Sequence, residues 1–527
     1  MNQRKLKLCQ TPCAPKVYQR RRPEQTPLYQ AIEQHLPHLN ERLYHEGKIL
    51  PQFVHRTFES YLGCGQLKNG FARLYCKNCQ HNRLVAFSCK KRGLCPSCMG
   101  RMMNQRAQRQ REEVLPAVTT RQWVLTFPNP LHVYLAYFPK ALTEALELFI
   151  ETLRYHYQRQ CLPQSKTPPK RYDIDYLQTF YRPYHPHDIG TMTSIQRHTD
   201  ALGLYPHFHT LCTDGLFVSA DENREESSQP RRRENTAIFI PSPQLSQTEL
   251  HDILILYKYR LTRRFIRRGY LRPIHQGVAA EEQQFNLYWG TEPPTEEEQQ
   301  LLKCYAASKN LRHAFGPKAG EPLEFDLSDD TANGHYHTEL CATYHGFNLH
   351  ADTVVQAEDR DRLEQLCRYI QRPVIAQDRL QKLGDGRYYY GFKRIWKNGT
   401  KGIYFEGPDL LERLAALVPP PKKHQLRYHG IFAPRSRLFQ AVRNMTHKSE
   451  QRFKEQKKQI RKRYWILWIE LLKRSFQVDV ACCPICNQSM QRIAELHTPE
   501  GIMGLISYDE HARPPPYNRW GEGSVGG

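Results

Sequence analysis

Short apolar runs bounded by turn-forming residues divide the middle of the chain into strands. They predict strands over 122–128, 191–196, 205–212 and 350–356. After the third run, the tripeptide at 213–215 (Thr-Asp-Gly) predicts a turn that returns the chain into 216–218 as a β-hairpin. These runs supply the strands of one predicted domain.

Apolar residues at the helical period predict two helices among these strands. The first spans 140–154, with Leu142 and Leu146 on its apolar face. The second spans 358–370 and ends before Pro373, which cannot continue a helix. Helices and strands interspersed in this way predict a mixed α/β domain for the middle of the chain.

The composition adds size and charge to this picture. The 527 residues carry 76 Lys and Arg against 53 Asp and Glu, a formal net charge of +23, and the length predicts three to four structural units. A hydrophobic content of 39% excludes wholesale disorder. No apolar stretch approaches the roughly 18 residues of a membrane span, and the first residues lack the apolar segment of a secretory signal. We expect a soluble protein with a polyanionic partner and no membrane partner.

The positive charge is concentrated in three blocks. Residues 1–25 carry seven Lys and Arg, residues 64–111 carry eleven and no acid, and residues 448–474 carry ten against three Glu. One such block is typical of a solvated face, whereas three favour contact with nucleic acid. The basic residues predicted to contact DNA are Lys77, Arg83, Lys90, Lys91, Arg92, Arg101, Lys393, Arg461, Lys462 and Arg463.

The sixteen cysteines also cluster, and without a signal peptide they indicate metal rather than disulfides. Two Cys-x-x-Cys pairs fifteen residues apart have the spacing of a zinc ribbon, in which four thiolates hold one Zn²⁺. This spacing predicts a structural zinc site made of Cys76, Cys79, Cys95 and Cys98. Cys64 and Cys89 are nearby alternatives as a substitute ligand or a second partial site. The later group, Cys482, Cys483 and Cys486, offers one knuckle, so metal binding and a partial metal turn are equally open there.

The pair His207 and His209 is the candidate for a second kind of metal site. Three His-x-His patterns occur, but the one at 185–187 contains a proline and the one at 335–337 follows Asn-Gly, which favours a loop. Only His207 and His209 lie in a predicted strand, which sends both imidazoles to one face. With a third polar ligand they form a divalent metal site with open positions, although packed histidines would show the same pattern.

Tyr369, on the predicted helix 358–370, is the candidate nucleophile beside that metal site. In this arrangement the phenolate attacks a scissile phosphate, a 5′-phosphotyrosine forms and a 3′-hydroxyl leaves. The covalent link conserves the energy of the broken bond, so strands can be rejoined without ATP. A single tyrosine on a helix is more often a packing residue, and only its combination with the histidine pair indicates catalysis.

Several stretches between about residues 50 and 500 resemble transposases of the insertion-sequence 91 type. They read, in order, CGQLKNGFARLYCKNC, FSCKKRGLCPSC, RQWVLTFP, YPHFHTLCTDGLF, GFNLHA, RLEQLCRYIQRPVIAQDRL, LLERLAALVPPPKKHQLRYHGIFAP and CCPICNQSM. The resemblance implies movement of DNA by a rolling-circle-like, single-stranded route. It also matches His207 and His209 to the metal-binding pair, Tyr369 to the nucleophile, and Cys76, Cys79, Cys95 and Cys98 to the zinc ligands.

The resemblance further implies an α+β fold with a nuclease of the histidine–hydrophobic–histidine (HUH) type, an antiparallel sheet with flanking helices. A zinc-ribbon domain would precede it, and a basic helical region with a cysteine knuckle would follow. The expected divisions are 1–50 (basic arm and helix), 51–113 (zinc-binding domain), 114–418 (nuclease, with insertion loops near 220–235 and 290–340), 419–480 (basic helical region) and 481–527 (knuckle and tail). A bacterial cytoplasmic, nucleoid-associated location is expected with it.

This chain departs from relatives that carry two tyrosines four residues apart. The corresponding positions here are Gln365 and Pro373, so the chain resembles the single-tyrosine subgroup. Successive strand transfers would then reuse Tyr369, use water or a free 3′-hydroxyl, or recruit a second protomer, which makes a homodimer on DNA one expectation.

The catalytic cofactor expected from the resemblance is Mg²⁺ or Mn²⁺. Gln196 is favoured as its third ligand over Asp200, which is close to a turn, and His350 is a further candidate. Two other functions stay open. A plasmid relaxase or replication initiator would share the chemistry, and a non-catalytic zinc-finger regulator would need only the basic blocks.

Overall fold

The computed structural model describes the greater part of the chain. The described residues are 16–17, 22–90, 93–162, 187–219, 237–273, 285–327, 340–436, 438–439, 441–442 and 478–497. Several predictions made from the sequence lie outside them wholly or in part: the contacts of Lys91 and Arg92, most of the basic arm at 1–25, the basic block 448–474 with Arg461, Lys462 and Arg463, and the insertion loop near 220–235.

Within this part of the chain, helices and strands are interspersed as the apolar pattern predicts. The α-helices are α1 Pro27–His45, α2 Gln52–Leu62, α3 Pro96–Arg109, α4 Asn129–Tyr137, α5 Pro139–Cys161, α6 Gln247–Arg267, α7 Glu296–Asn310, α8 Arg360–Tyr369 and α9 Gly407–Leu417. The strands are β1 Lys16–Val17, β2 Phe71–Tyr75, β3 Asn82–Ala86, β4 Thr120–Thr126, β5 His187–Asp188, β6 Gly190–His198, β7 Leu204–Thr213, β8 Gly215–Ser219, β9 Ala237–Pro241, β10 Leu271–Pro273, β11 Phe285–Leu287, β12 Phe325–Leu327, β13 Cys341–Tyr344, β14 Phe347–His350, β15 Val354–Val355, β16 Leu380–Lys382, β17 Tyr388–Gly391, β18 Thr400–Phe405, β19 Leu426–Gly430, β20 Val478–Asp479 and β21 Gln491–Leu496.

An antiparallel central sheet is the framework of the middle of the chain. Its strand order is β13-β14-β4-β7-β6-β19, and β15 pairs with β4. One face packs against α5 and α6 through a core that contains Trp123, Leu125 and Phe208. The fold is therefore α+β with an antiparallel sheet and flanking helices, as expected.

Helix α8 covers part of the opposite face of the same sheet. Leu363 and Cys367 of α8 share a buried cluster with Met192 of β6 and Leu211 of β7. The helix begins at an Asp359 side chain that accepts a hydrogen bond from the backbone N–H of Arg362. This packing brings the C-terminal end of α8 over the face that carries the two histidines.

The predicted hairpin at 213–215 is wrong. Strand β7 pairs with β4 and β6, whereas β8 leaves for a second sheet of order β5-β8-β9. Gly215 makes this change of sheet possible, because a Cβ atom there would lie 2.3 Å from the backbone oxygen of Ile240. The strand predicted over 350–356 also differs, since β14 ends at His350 and only Val354–Val355 resumes pairing.

Two further regions complete the described fold. The predicted insertion loop near 290–340 contains helix α7 and strand β12 and is therefore not only a loop. Near the zinc-binding cysteines, β2 pairs with β3 on one side and with the late strand β21 on the other. We call these three strands the knuckle sheet. Among the described residues, no helix is long and apolar enough to cross a membrane.

Candidate active site and zinc centres

His207 and His209 lie side by side on the face of the central sheet that α8 covers. Both come from β7, and the register pairs them with Gln196 and Ser194 of β6. Since paired residues of antiparallel strands share a face, Gln196 points to the same side as the imidazoles. Phe208 between them enters the core on the other side, as the alternation predicts.

The two imidazoles converge through their Nε2 atoms, which lie 3.1 Å apart. His207 Nδ1–H donates to the backbone oxygen of Tyr205 at 2.7 Å, which leaves its Nε2 as the nitrogen with the free lone pair. The Gln122 Nε2–H donates to His209 Nδ1 at 2.8 Å and fixes the orientation of that ring, with the opposite hydrogen-bond direction to that of His207. A neighbour on the far nitrogen of each ring is the usual support of metal-binding histidines.

Burial keeps both imidazoles neutral at physiological pH. Each side chain is almost fully buried. Desolvation lowers the pKa of His207 to about 4, and Arg372 acts in the same direction. Desolvation, together with His207 and Arg372, also lowers the pKa of His209 well below its ordinary value. Neutral imidazoles are the form that binds a metal ion.

Gln196 supplies an unsatisfied oxygen next to this pair. Its Nε2 donates to the backbone oxygen of Ile370 at 2.9 Å, while its buried Oε1 has no hydrogen-bond partner among the described residues. Asp200, the alternative third ligand, forms an ion pair with Arg379 at 3.0 Å and accepts the backbone N–H of Lys393. The geometry therefore favours Gln196, since Asp200 is engaged elsewhere.

His350, the further candidate, is on the neighbouring part of the same sheet. Its strand β14 pairs it with Val124 of β4, which in turn pairs with His209. Its pKa is lowered by desolvation. It shares the histidine face but is separated from His209 by the width of one strand.

Tyr369 ends α8 above the histidines. Its ring centroid lies 6.1 Å from that of His209 in an edge-on arrangement, and 42% of the residue is exposed. Arg372 and Lys393 flank the ring, with the Arg372 Cζ 5.0 Å and the Lys393 Nζ 5.6 Å from the centroid. The site thus combines an accessible phenol, two cations and two neutral imidazoles.

Gln122 and Arg372 were missed in the sequence. Arg372 follows Tyr369 by three residues, just beyond the end of α8, and this closeness in the chain was an available signal. Gln122 occupies a strand two positions from Val124, and only the register of β4 against β7 brings it to His209.

The prediction that Cys76, Cys79, Cys95 and Cys98 form one site is wrong as a grouping. The structure brings together two separate quartets, Cys64/Cys89/Cys95/Cys98 and Cys76/Cys79/Cys483/Cys486, each with its sulfur atoms within 4.8 Å of one another. Each Cys-x-x-Cys pair therefore finds its partners elsewhere in the chain. The prediction failed because it treats the two nearest Cys-x-x-Cys pairs as the ligands of one metal ion, as in a zinc ribbon. Here each pair lies beside cysteines from another segment.

The first quartet is buried against the N-terminal helices. The Sγ atom of Cys64 lies 3.6 Å from the Sγ atoms of both Cys95 and Cys98, and that of Cys89 lies 3.6 Å from Cys98. Sulfur atoms at the corners of a tetrahedron with Zn–S bonds of about 2.3 Å are about 3.8 Å apart. These four thiols fit a structural zinc ion.

The predicted DNA-contacting residues separate into exposed and buried ones. Lys77, Lys90 and Lys393 are exposed, and Arg101 is half-buried. Arg83 is 5% exposed and donates to the backbone oxygens of Val480 and Cys482, so its predicted role as a surface contact is wrong. Its guanidinium instead fastens the late part of the chain to the knuckle sheet.

Two family models match the chain. Residues 31–127 match the model described as "Transposase zinc-binding domain". Residues 190–438, which contain His207, His209 and Tyr369, match the model described as "Putative transposase". The chain belongs to the transposases of the insertion-sequence 91 type. No significant match is found among curated proteins or among solved structures.

Membership makes this protein a DNA-binding transposase of an insertion sequence. The zinc-binding domain and the cysteine quartets together support structural zinc. The transposase model covers both the histidine strand and helix α8, which are the elements of the candidate active site.

Proposed function

We propose that this transposase cleaves and rejoins single DNA strands at element ends through Tyr369, by a rolling-circle-like route. The observation that carries the proposal is the meeting of three features on one sheet face. They are the Nε2 atoms of His207 and His209 at 3.1 Å, the Oε1 of Gln196, which has no hydrogen-bond partner among the described residues, and the accessible ring of Tyr369 beside them.

The donors of this face fit a divalent cation. Two neutral imidazole nitrogens and one amide oxygen leave several coordination positions for water and phosphate oxygens. Of the two expected metals, the nitrogen pair favours Mn²⁺ over Mg²⁺ by ligand type. A bound cation would polarise the scissile phosphate and neutralise charge that develops on it.

The reaction is an exchange of one phosphodiester for another. The Tyr369 Oη forms a bond to phosphorus, and the bond between phosphorus and the 3′-oxygen breaks. The phenol gives up one proton and the departing 3′-oxygen takes one up, so protons balance across the step. The product is a 5′-phosphotyrosine, and attack by a free 3′-hydroxyl reverses the step and rejoins a strand.

Arg372 and Lys393 are the residues of this chain that position the phosphate. Both cations flank the Tyr369 ring, within 5.0 and 5.6 Å of its centroid. Lys393 is also held in place, because its backbone N–H donates to Asp200, which Arg379 anchors by an ion pair. A phosphate that approaches the phenol therefore meets two positive charges beside the ring.

The single tyrosine has a consequence for the later steps. Positions 365 and 373 are Gln and Pro, so α8 offers one phenol to the site. A complete transposition then needs Tyr369 to act again after release, a free 3′-hydroxyl or water as the second nucleophile, or a second protomer. We expect a dimer on DNA if both strands are held covalently at one time.

The test is covalent capture of DNA. Protein is incubated with single-stranded element-end DNA and Mn²⁺ or Mg²⁺, and adducts are separated under denaturing conditions. Wild type is expected to form an adduct with the fragment on the 3′ side of the cut, through its 5′-phosphate, and to leave a free 3′-hydroxyl on the other fragment. Tyr369→Phe is expected to form none while still binding the DNA, and Tyr259→Phe, at an exposed tyrosine of α6, serves as the matched control.

The outcomes separate the candidate functions. An adduct that survives in Tyr369→Phe would remove Tyr369 as the nucleophile. Specific binding with no adduct in the wild type would favour a zinc-finger regulator. Adducts at a plasmid origin, without joining of element ends, would favour a relaxase or replication initiator.

A further inference from the structure

We infer that a second zinc ion joins an early segment of the chain to its last described segment, held by Cys76 and Cys79 on one side and by Cys483 and Cys486 on the other. The zinc-binding family model ends at residue 127, so half of this ligand set lies outside it. The inference rests on sulfur geometry, on the backbone of the two knuckles and on the strands that frame them.

The sulfur atoms are already arranged as metal ligands. The Sγ atoms of Cys76 and Cys486 are 3.4 Å apart, and those of Cys79 and Cys483 are also 3.4 Å apart. All four lie within 4.8 Å of one another. A tetrahedral Zn²⁺ with thiolate bonds of about 2.3 Å needs sulfur spacings of about 3.8 Å, which a small opening of the quartet provides.

The two Cys-x-x-Cys turns share one backbone hydrogen-bond pattern. Cys76 N–H donates to His81 O, and Cys483 N–H donates to Gln488 O, both at 2.9 Å. The return bonds also match, because the N–H of residue 80 donates to Cys76 O and the N–H of residue 487 donates to Cys483 O.

The residue after each turn also has the same conformation. Gln80 and Asn487 have φ of 63° and 57°, a left-handed backbone that non-glycine residues rarely adopt. Two turns 400 residues apart that repeat the same bonds and the same uncommon φ, and that face each other through four thiols, indicate two halves of one metal site.

The surrounding structure holds the two halves in contact. Strand β21 pairs with β2 from Phe71↔Leu496 to Tyr75↔Gln491. The buried Arg83 donates to the backbone oxygens of Val480 and Cys482 at 2.9 and 3.0 Å. The late knuckle is therefore fastened at both of its flanks to the knuckle sheet.

The core of this region is too small to hold it without help. Its buried cluster consists of Leu74, Cys76, Val85, Val480, Cys483 and Met490. A core of this size stabilises little structure in water, and small domains commonly rely on a metal ion for that reason. The metal closes a loop between Cys79 and Cys483, which are 404 positions apart. The DNA-binding region is thus completed only once residue 486 has been synthesised.

Cys482 and Cys483 provide an internal control for the ligand assignment. Both could begin a knuckle by sequence, but the structure directs only Cys483 to the quartet. The Cys482 Sγ lies 3.7 Å from the backbone oxygen of Asn487 and is half-buried outside the cluster. Cys482→Ser should therefore leave the metal in place, whereas Cys486→Ser should remove it, because no neighbouring cysteine can replace Cys486.

The test counts metal in the full-length protein. Zinc per chain is measured by mass spectrometry after exhaustive dialysis, in wild type and in Cys482→Ser, Cys486→Ser and Cys486→His. We expect about two zinc ions for wild type and Cys482→Ser and about one for Cys486→Ser. Cys486→His, which keeps a zinc-binding nitrogen, is expected to return to about two and to fold even if the serine variant does not.

Cobalt substitution reports the ligand type independently. Thiolate-to-Co²⁺ charge-transfer absorption per chain is expected to fall by about half in Cys486→Ser and to stay unchanged in Cys482→Ser. One zinc ion in wild type, two in Cys486→Ser, or a loss in Cys482→Ser would each overturn the inference. None of these readouts depends on Tyr369 or on strand cleavage.

Discussion

The central sheet and the knuckle sheet place their candidate metal ligands on very different supports. In the central sheet, packing alone brings the two Nε2 atoms of His207 and His209 together, because a large core lies beneath them and α8 lies above. In the knuckle sheet, the buried cluster is small and two of its members are the thiols Cys76 and Cys483. On the function proposed above, the first region offers a preformed face to a metal ion, whereas on the further inference the second uses a metal ion as part of its core.

The difference also appears in ligand chemistry. Imidazole nitrogens and an amide oxygen leave open positions and exchange their ion readily, which suits a cation that takes part in a reaction. Four thiolates close the coordination sphere and hold Zn²⁺ as structure. Lys77 lies beside the cysteines of the knuckle sheet, and Lys393 lies beside Tyr369. Nearby positive charge therefore does not distinguish the two roles.

Metal removal should produce the largest contrast between the two sheets. Stripping zinc with a strong chelator is expected to unfold the knuckle sheet, because a structural zinc ion contributes about 10–16 kcal/mol in isolated zinc fingers. Hydrogen exchange should show loss of protection in β2, β3 and β21, with β6 and β7 unchanged. Equal loss in both sheets would contradict the contrast.

Removing the histidine pair should abolish cleavage and leave the zinc region intact. The double variant His207→Ala plus His209→Ala is expected to cut element-end DNA at least about 10³-fold more slowly, since a catalytic metal contributes several kcal/mol to the transition state. The zinc content and the DNA affinity of the variant are the controls. Full cleavage activity in this variant would remove the metal role from this face.

Two glutamines should show separate effects on the catalytic cation. Gln196→Ala removes a proposed ligand, and Gln122→Ala removes the support of His209, for which losses of about 10–100-fold in metal affinity are typical. The concentration of Mn²⁺ that gives half-maximal cleavage is expected to rise in both variants. Gln299→Ala, at an exposed glutamine of α7, is the matched control, and a rise of equal size there would contradict the assignment.

Substitutions of Lys77 and Arg83 should have the smallest effects, and each should change a different property of the protein. Lys77→Ala is expected to reduce the slope of log affinity against log salt by about one, as loss of a phosphate contact does. Arg83→Ala is expected to leave that slope unchanged but to destabilise the knuckle sheet by about 1–3 kcal/mol, because buried carbonyls lose their donor. Thermal unfolding and salt titration of both variants check this, and a changed slope in Arg83→Ala would restore it as a DNA contact.

Much of the central sheet was predictable because its signals are local. The alternation around Phe208 sends both histidines to one face, and the spacing of apolar residues in 358–370 predicts the helix that carries Tyr369. These patterns depend on backbone geometry within one element. Gln196, the favoured third ligand, also lies on a strand, and the alternation of side chains along that strand predicts the face on which it lies.

Other features depended on partners that are distant in the chain. The hairpin at 213–215 was predicted from turn residues, but β8 pairs in another sheet, with β5 and β9. Arg83 resembles its basic neighbours in the sequence and is buried because the segment from Val480 to Cys482 packs onto it. No local pattern carries this information.

The sequence by itself determined which chemistry the protein holds: thiolate pairs, a histidine pair on one strand, a tyrosine on a helix and an excess of positive charge. Only the tertiary structure decided which groups act together. It joined Cys76 and Cys79 to Cys483 and Cys486, set Gln122 against His209 and brought Arg372 and Lys393 to Tyr369. The reason is physical, because ligand identity is a property of each residue, whereas coordination and catalysis depend on distances of a few ångströms that long-range packing sets.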